Sequence, residues 1–322
     1  MSRPRPSTFL ALLVGAVLLA GCGESPDASP EPPTQPEATS PALLLDSARP
    51  QTTSFMGDTL YAQVDTAGEI AGADSARAAN PDDLDLLIQA GRVRRNHWRY
   101  REAMEIYTQA MEQAPEDWRP PRFRGHRYIS LRDFDAAVAD LERARDLAPL
   151  NWDVSYHLGL AYFLAGRFED AADEYLRCLA MAGDEAAQAA EAEDFRSCSE
   201  NADDPESRVA MTEWAVRALG RAGRADAAQA LLDELATDLP VEVNRAYYDA
   251  LLWKKGVLDE SELLAEDAPY RLETVGYGIA NQRVVQGDTA AALELLDRLV
   301  QDPWWPGFGR IAAEVDRARL GG

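Results

Sequence analysis

Three histidines, three cysteines and two lysines among 322 residues leave little raw material for metal, thiol or amine chemistry. No HExxH, CxxC or glycine-rich phosphate loop occurs, and Gly276-Tyr277-Gly278 lacks the strand context that a dinucleotide site needs. His97, His126 and His157 fall at different phases of the pattern described below, which predicts that they point in different directions and hold no metal. The many Asp and Glu pairs read as solvated helix faces, because a two-carboxylate hydrolase needs its pair placed in a pocket. Neither catalysis nor a cofactor is expected. An excess of positive charge is also missing: 55 acidic against 32 basic residues give −23, so nucleic acid and anionic lipid surfaces are poor global partners. Phe9 to Leu19, an uninterrupted apolar run, is too short to span a bilayer.

What the chain does have is an echo every 34 residues. Gly91, Gly125 and Gly159 are evenly spaced, as are Ala103, Ala137 and Ala171, and Tyr107, Leu141 and Tyr175; Tyr128 with Tyr162 and Pro115 with Pro149 keep the same register. A fixed period of this length predicts stacked helix pairs. The small residues fall where the two helices of a pair cross, and the large side chain four residues after each alanine fills the space beside the crossing. The proline eight residues further on ends the pair. This set of residues resembles the tetratricopeptide repeat family, most closely over residues 84–185, and the resemblance implies an all-α, right-handed superhelical solenoid that binds other proteins.

The echo weakens downstream. Gly223, Ala228, Leu232 and Pro240 keep the spacing of Gly166, Ala171 and Tyr175 with a closing proline, and Gly287, Ala292 and Leu296 repeat it, so residues 209–305 read as degenerate repeats. Within them Val243 to Trp253 and Leu258 to Ala265 read as two helices broken at Gly256. Residues 46–83 read as a strap and a half repeat, with a helix from Gly68 to Ala79; Pro50 to Val64 fits a strand pair, a strap or disorder. Residues 186–208 interrupt the array as an inserted loop. Residues 306–322, with Phe308 to Leu320, read as a C-terminal capping helix that faces water on one side, and Trp304-Trp305 as a seal on the end of the array. Trp214 and Trp253 read as core.

Residues 1–21 have the layout of a secretion signal: Arg3 and Arg5, the apolar run, then Leu19-Ala20-Gly21-Cys22. The last four resemble the bacterial lipobox, which implies cleavage before Cys22 and acylation of that cysteine; several acyl chains anchor stably where one is marginal. Gly23, rather than Asp, after the cysteine resembles outer-membrane lipoproteins. Loss of residues 1–21, which carry two arginines and no acid, takes the charge from −23 to −25. From Gly23 to Ala42 six prolines and four acids without a basic residue predict an extended, solvated tether within residues 22–45. The expected location is the periplasmic or external side of the outer membrane, and the expected partners are envelope proteins or peptides.

In an exported protein Cys178 and Cys198 have a disulfide as their natural state, although spacing alone leaves two free thiols open. In stacked helix pairs the first helix lines the concave surface, which places Arg92, Arg95 and Asn96, then Arg119, Arg122 and His126, then Tyr156, Leu160 and Phe163 along the groove. Residues 92–145 carry twelve arginines against nine acids. Arginine forks take carboxylates bidentately and the neighbouring aromatics take apolar side chains, so a segment with acidic and apolar residues fits. The competing expectation is that these arginines only tie neighbouring repeats together. Some members of the family clamp a C-terminal carboxylate with Lys and Asn; the matching positions here are Ile88, Arg92, Phe123, Asp153 and His157, so that clamp is not preserved. A solute-binding protein, closed by the loop around Cys198 and the Tyr277 region, and an accessory subunit of an envelope enzyme are the alternatives.

Overall fold

A computed structural model describes residues 43–185, 196–264 and 272–321. The expected signal, Cys22 and most of the expected tether lie outside the described residues, as does the middle of the insertion. In chain order the elements are an antiparallel hairpin, β1 (Leu45–Thr53) and β2 (Thr59–Gln63), then α1 (Glu69–Ala79), α2 (Leu84–Asn96), α3 (Tyr100–Gln113), α4 (Arg119–Ser130), α5 (Phe134–Leu147), α6 (Trp152–Ala165) and α7 (Phe168–Leu179). After the insertion come α8 (Cys198–Asp203), α9 (Pro205–Arg221), α10 (Ala225–Glu234), α11 (Arg245–Lys254) and the single turn α12 (Glu260–Leu263). A π-helical turn (Leu272–Gly276) leads into α13 (Tyr277–Gln286), followed by α14 (Thr289–Leu299) and α15 (Phe308–Leu320). The architecture is an all-α solenoid carrying one hairpin.

Local chemistry sets the helix ends. Asp83, Asp133 and Asn151 accept the free N–H groups that open α2, α5 and α6. α4 opens with Pro120 and Pro121 in its first turn, where a missing N–H leaves no bond unmade. α3 and α5 stop at Ala114 and Ala148, whose backbones leave the helical region because a proline follows each. A repeated tie then joins neighbouring units: Arg143 donates to the carbonyl of Pro115, and one period later Arg177 donates to that of Pro149, both at 2.8 Å.

The crossings are as tight as the glycine columns demand. A Cβ on Gly91 would stand 2.5 Å from the Tyr107 ring, one on Gly125 2.7 Å from Leu141 Cγ, and one on Gly159 would run into the Tyr175 ring. Ala103, Ala137 and Ala171 are fully buried beside them. The columns of the second and third repeats join one core running from Ile129 through α6, α7 and α9 to α15, while Leu87, Ile88, Ala90, Ile106 and Ala110 form a separate cluster between α2 and α3.

The turn inside each of the first three repeats needs one residue with a left-handed backbone. Trp98 (φ 55°), Arg132 (φ 68°) and Gly166 (φ 82°) supply it, 34 residues apart. Only the third is a glycine, and a bulky residue in this conformation costs roughly 1–2 kcal/mol. The first two are held there by the C-terminal segment. Trp98 packs edge-on against Trp304 and Trp305 at 5.1 and 5.5 Å, and Arg132 forms a buried 2.7 Å ion pair with Glu314 while donating to the Trp305 carbonyl. Arg319 donates to the carbonyl of Leu164, beside Gly166. Trp305 also reaches the hairpin, its indole N–H donating to Tyr61 O at 3.0 Å.

Two expectations change here. α15 forms over the expected residues but does not present a wet outer face: residues Gly309 to Asp316 are all buried, packed against α13, α14 and the π-helical turn and bonded across to the turns of repeats two and three. Trp304-Trp305 accordingly packs on the first repeat rather than on a free end. The array curves enough to bring its last helix back to its beginning, and burial there removes more apolar surface from water than an exposed cap does. Residues 46–64 are both a strand pair and a strap, since Gln63 N–H donates to His97 O, Thr52 to Leu131 O, and Phe55 stacks on Phe134 at 6.1 Å.

Cys178 and Cys198 are disulfide-bonded, with Cα atoms 5.1 Å apart. The bond fixes the end of the insertion to α7, and the backbone adds to it: Trp152 N–H donates to Arg196 O and Cys198 N–H to Leu150 O.

Candidate protein-interaction site

The first-helix residues picked out by the repeat separate into three groups. Arg92, Arg95 and Asn96 on α2 stay accessible: Asn96 is exposed, the two arginines half-buried. Arg92 sits 6.0 Å and Arg122 4.9 Å from the Phe123 ring centroid, so two cations lie against one aromatic ring. Arg95 donates to Asn96 Oδ1 at 2.8 Å.

Arg119 belongs elsewhere. Asp117 at 2.7 Å and Asp85 of the preceding repeat at 2.8 Å grip its guanidinium, and the hydrogen bond to Asp117 raises its pKa further. Arg124 is likewise held by Asp140 through two bonds of 2.7 and 2.8 Å. For these two the structural role as ties describes the geometry.

The third group lies deeper than expected. Leu160 and Phe163 are fully buried: Phe163 packs on Trp214 at 5.4 Å, Phe168 at 5.2 Å and Tyr277 at 6.3 Å, so neither Leu160 nor Phe163 lines an open groove. Trp214 of α9 and Tyr277 of α13 lie over Phe163. Tyr156 is half-buried, its hydroxyl 3.3 Å from that of Tyr247. Tyr277 is buried too and donates to Asp316 at 2.9 Å.

His126 and His157 come together, against the expectation that they diverge. Their rings lie 4.2 Å apart, with Phe308 of α15 covering both at 5.3 and 5.9 Å. Subtracting one period places His157 level with residue 123, three short of 126, which is one helical turn on the same face. Among the described residues no third ligand joins them in a metal-binding group. His157 Nδ1 lies 2.6 Å from Asp153 O and donates to it, so Arg122, 3.5 Å from the same nitrogen, meets an N–H and forms no bond there. Burial, and then the nearby Arg122, hold His157 down to about 3; burial, then Arg127, holds His126 well below its ordinary value. Both are neutral at pH 7.

Behind them is a cluster of cations that the sequence reading did not isolate. Arg127 is buried and stacks on Tyr100 at 4.6 Å without a carboxylate partner among the described residues. Desolvation lowers its pKa to about 10, with Arg95 and Arg122 pushing in the same direction. Arg122, also buried, has Asp153 at 3.7 Å, a carboxylate shared with Arg196 at 3.2 Å. Arg95 Nε, Arg122 Nε and His126 Nδ1 are buried and make no hydrogen bond. The signal in the sequence was the run of arginines; the missing information was which of them the acids would reach.

Residues 124–194 match the tetratricopeptide repeat family. The small glutamine-rich tetratricopeptide repeat-containing protein 2 of Saccharomyces cerevisiae is 30% identical over 105 residues, 33% of this chain, and the chain spans only 30% of that protein's length. Among solved structures, YrrB, described as a TPR protein with an unusual peptide-binding site, is 14% identical with a TM-score of 0.42, covering 72% of this chain and 92% of its own. A tetratricopeptide repeat protein from Parabacteroides merdae is 14% identical with a TM-score of 0.46, covering 76% of this chain and 89% of its own. The family match falls on the second and third repeats, and the same glycine-to-large-side-chain crossing recurs at Gly91, Gly125 and Gly159, so this part of the chain is similar to the tetratricopeptide repeat.

Proposed function

We propose that the protein is a non-catalytic scaffold that holds a segment of a partner protein, with acidic and apolar residues, on the part of the first-helix face left open between repeats one and three. The observation that carries this reading is the contrast along that face. Its deep half is filled by the chain's own α15, while Arg92, Arg95, Asn96 and Phe123 remain accessible at its outer half. Cations stacked on an aromatic ring offer both charge and apolar area to a partner.

The rest of the reading concerns location. Cys22 anchors the chain by acylation to the outer membrane, facing the periplasm or the outside, the proline-rich segment spaces the array from the lipid, and the partner is an envelope protein. A disulfide between Cys178 and Cys198 suits an oxidising compartment. The test is cross-linking in intact cells followed by identification of the recovered proteins, with Arg95→Gln and Cys22→Ala in parallel. Salt-sensitive recovery of an envelope protein that falls with Arg95→Gln, and loss of membrane fractionation with Cys22→Ala, are expected; recovery indifferent to Arg95 sinks the assignment of the face.

A further inference from the structure

The cation cluster beneath this face makes a specific demand. Arg95 and Arg122 both lower the pKa of the buried Arg127, Arg95 also lowers that of Arg122, and Asp153, 3.7 Å from Arg122, is divided with Arg196. His126 and His157 add no charge but supply polar edges, and Arg95 Nε, Arg122 Nε and His126 Nδ1 are buried donors or acceptors with nothing bonded to them. Burying guanidinium groups without counter-charge is costly, and donors left unmet add to that cost. By contrast, the neighbouring Arg119 and Arg124 are fully matched by carboxylates. Among the described residues the shortage of negative charge therefore gathers at Arg95, Arg122 and Arg127, of which Arg95 and the Phe123 ring under Arg122 are half-buried and so partly exposed to solvent.

We infer that Arg95 and Arg122, backed by Arg127 and His126, form an oxyanion site that takes a carboxylate or phosphate group. The chemistry is that of guanidinium N–H donors on a planar oxyanion or phosphoryl group. The inference deepens the scaffold reading, since the oxyanion is the acidic side chain of a bound segment if that reading holds, and a free anion if it does not. Its residues are not those that clamp a chain terminus in other repeats of this kind: Arg92, Phe123 and His157 stand at those positions and are not the donors invoked.

The test is thermal unfolding and calorimetric titration of the full chain with inorganic phosphate in one arm and the blocked peptide acetyl-Glu-Glu-Phe-Glu-amide in the other, each against sodium chloride at equal ionic strength. Saturable binding that raises Tm is expected, weakened about tenfold or more by Arg95→Gln and by Arg122→Met. A structural role for the arginines predicts the opposite sign in the empty protein: removal of an uncompensated buried cation leaves Tm unchanged or higher, whereas loss of a needed tie lowers it. Should Arg122→Met fold poorly, the half-buried Arg95→Gln decides alone. Tighter binding of the peptide assigns the site to a partner's carboxylate, and binding of phosphate alone leaves the site standing while removing support from the scaffold reading. No saturable binding in either arm, or binding that survives both substitutions, overturns the inference.

Discussion

The first three repeats and the C-terminal half solve the same crossing differently. In the former a glycine lies under a large side chain sixteen residues on, Gly91 with Tyr107, Gly125 with Leu141 and Gly159 with Tyr175. In the latter the equivalent spacing pairs Val216 with Leu232 and Ala280 with Leu296, each pair within one apolar cluster. In the C-terminal half the leucine covers a larger residue, whereas Leu141 still covers a glycine with no room for a Cβ, so the spacing of the two helix axes as well as the covering side chain sets what fits beneath. The glycine column fades downstream because the constraint is shared by two positions, and relaxing one relaxes the other.

The two regions also treat charge differently. Ion pairs of the first repeats are mostly partly exposed ties such as Arg119 with Asp85, whereas the C-terminal half adds fully buried ones to exposed ties such as Arg317 with Asp297. Glu314 is fully buried between Arg132 and Arg310, and Glu213 lies against Arg217 and Lys254. Surface pairs contribute little and buried ones fix geometry more than they stabilise, so removing one partner of a buried pair is the costly event.

The sharpest way to break this contrast is Arg132→Ala, which strips Glu314 of its nearest cation among the described residues and leaves Arg310 at 3.4 Å. A loss of roughly 3–5 kcal/mol by denaturant unfolding is expected, against about 0–1 kcal/mol for Asp85→Ala at the exposed tie. Equal effects would erase the distinction.

Acid dependence comes next. Burial, opposed by the Gly309 N–H it accepts, raises the Glu273 carboxyl to about 7, and the nearby Asp302 pushes the same way. A carboxyl raised on folding contributes stability that is fully present below its unfolded value near 4.5 and is lost as pH rises through about 7. Relative to Glu273→Gln, the wild type should lose about 3 kcal/mol between those limits; parallel pH profiles for the two proteins would refute the assignment.

Reduction of the Cys178–Cys198 bond, which closes a sequence separation of 20, should lower stability by about 3 kcal/mol. Its effect should fall on the seam between α7 and α8, visible as faster amide exchange there; uniform exchange along the chain would show that the insertion does not join the two regions.

At the crossings themselves, Gly159→Ala should cost roughly 1–3 kcal/mol by overpacking against Tyr175. Ala280→Gly, at the matching place in the C-terminal half, should cost only about 0.5–1 kcal/mol through backbone entropy. The double variant Gly159→Ala with Tyr175→Leu should recover part of the first loss, as the pairing of Ala280 with Leu296 suggests.

The repeat was legible because each column answers a local steric need that recurs wherever two helices cross, and the same need fixes the prolines that end them. Trp98 and Arg132 were not legible as turn residues, because the left-handed position normally calls for glycine and these two are held there by Trp305 and Glu314 from far along the chain. Leu160 and Phe163 carried the pattern of a groove lining, and were covered by elements whose return the pattern does not encode.

The sequence by itself determined the helix pairs, their glycine-to-ring crossings and the arginine-rich stretch, since these depend on contacts within one period of 34 residues. Tertiary structure decided the rest: the accumulated curvature brings α15 back against repeats two and three, bonds Cys178 to Cys198, and sorts the arginines into those that meet a carboxylate and those that do not. The physical reason is that small rotations between neighbouring units add up over the array, and only their sum specifies which distant side chains share a buried space.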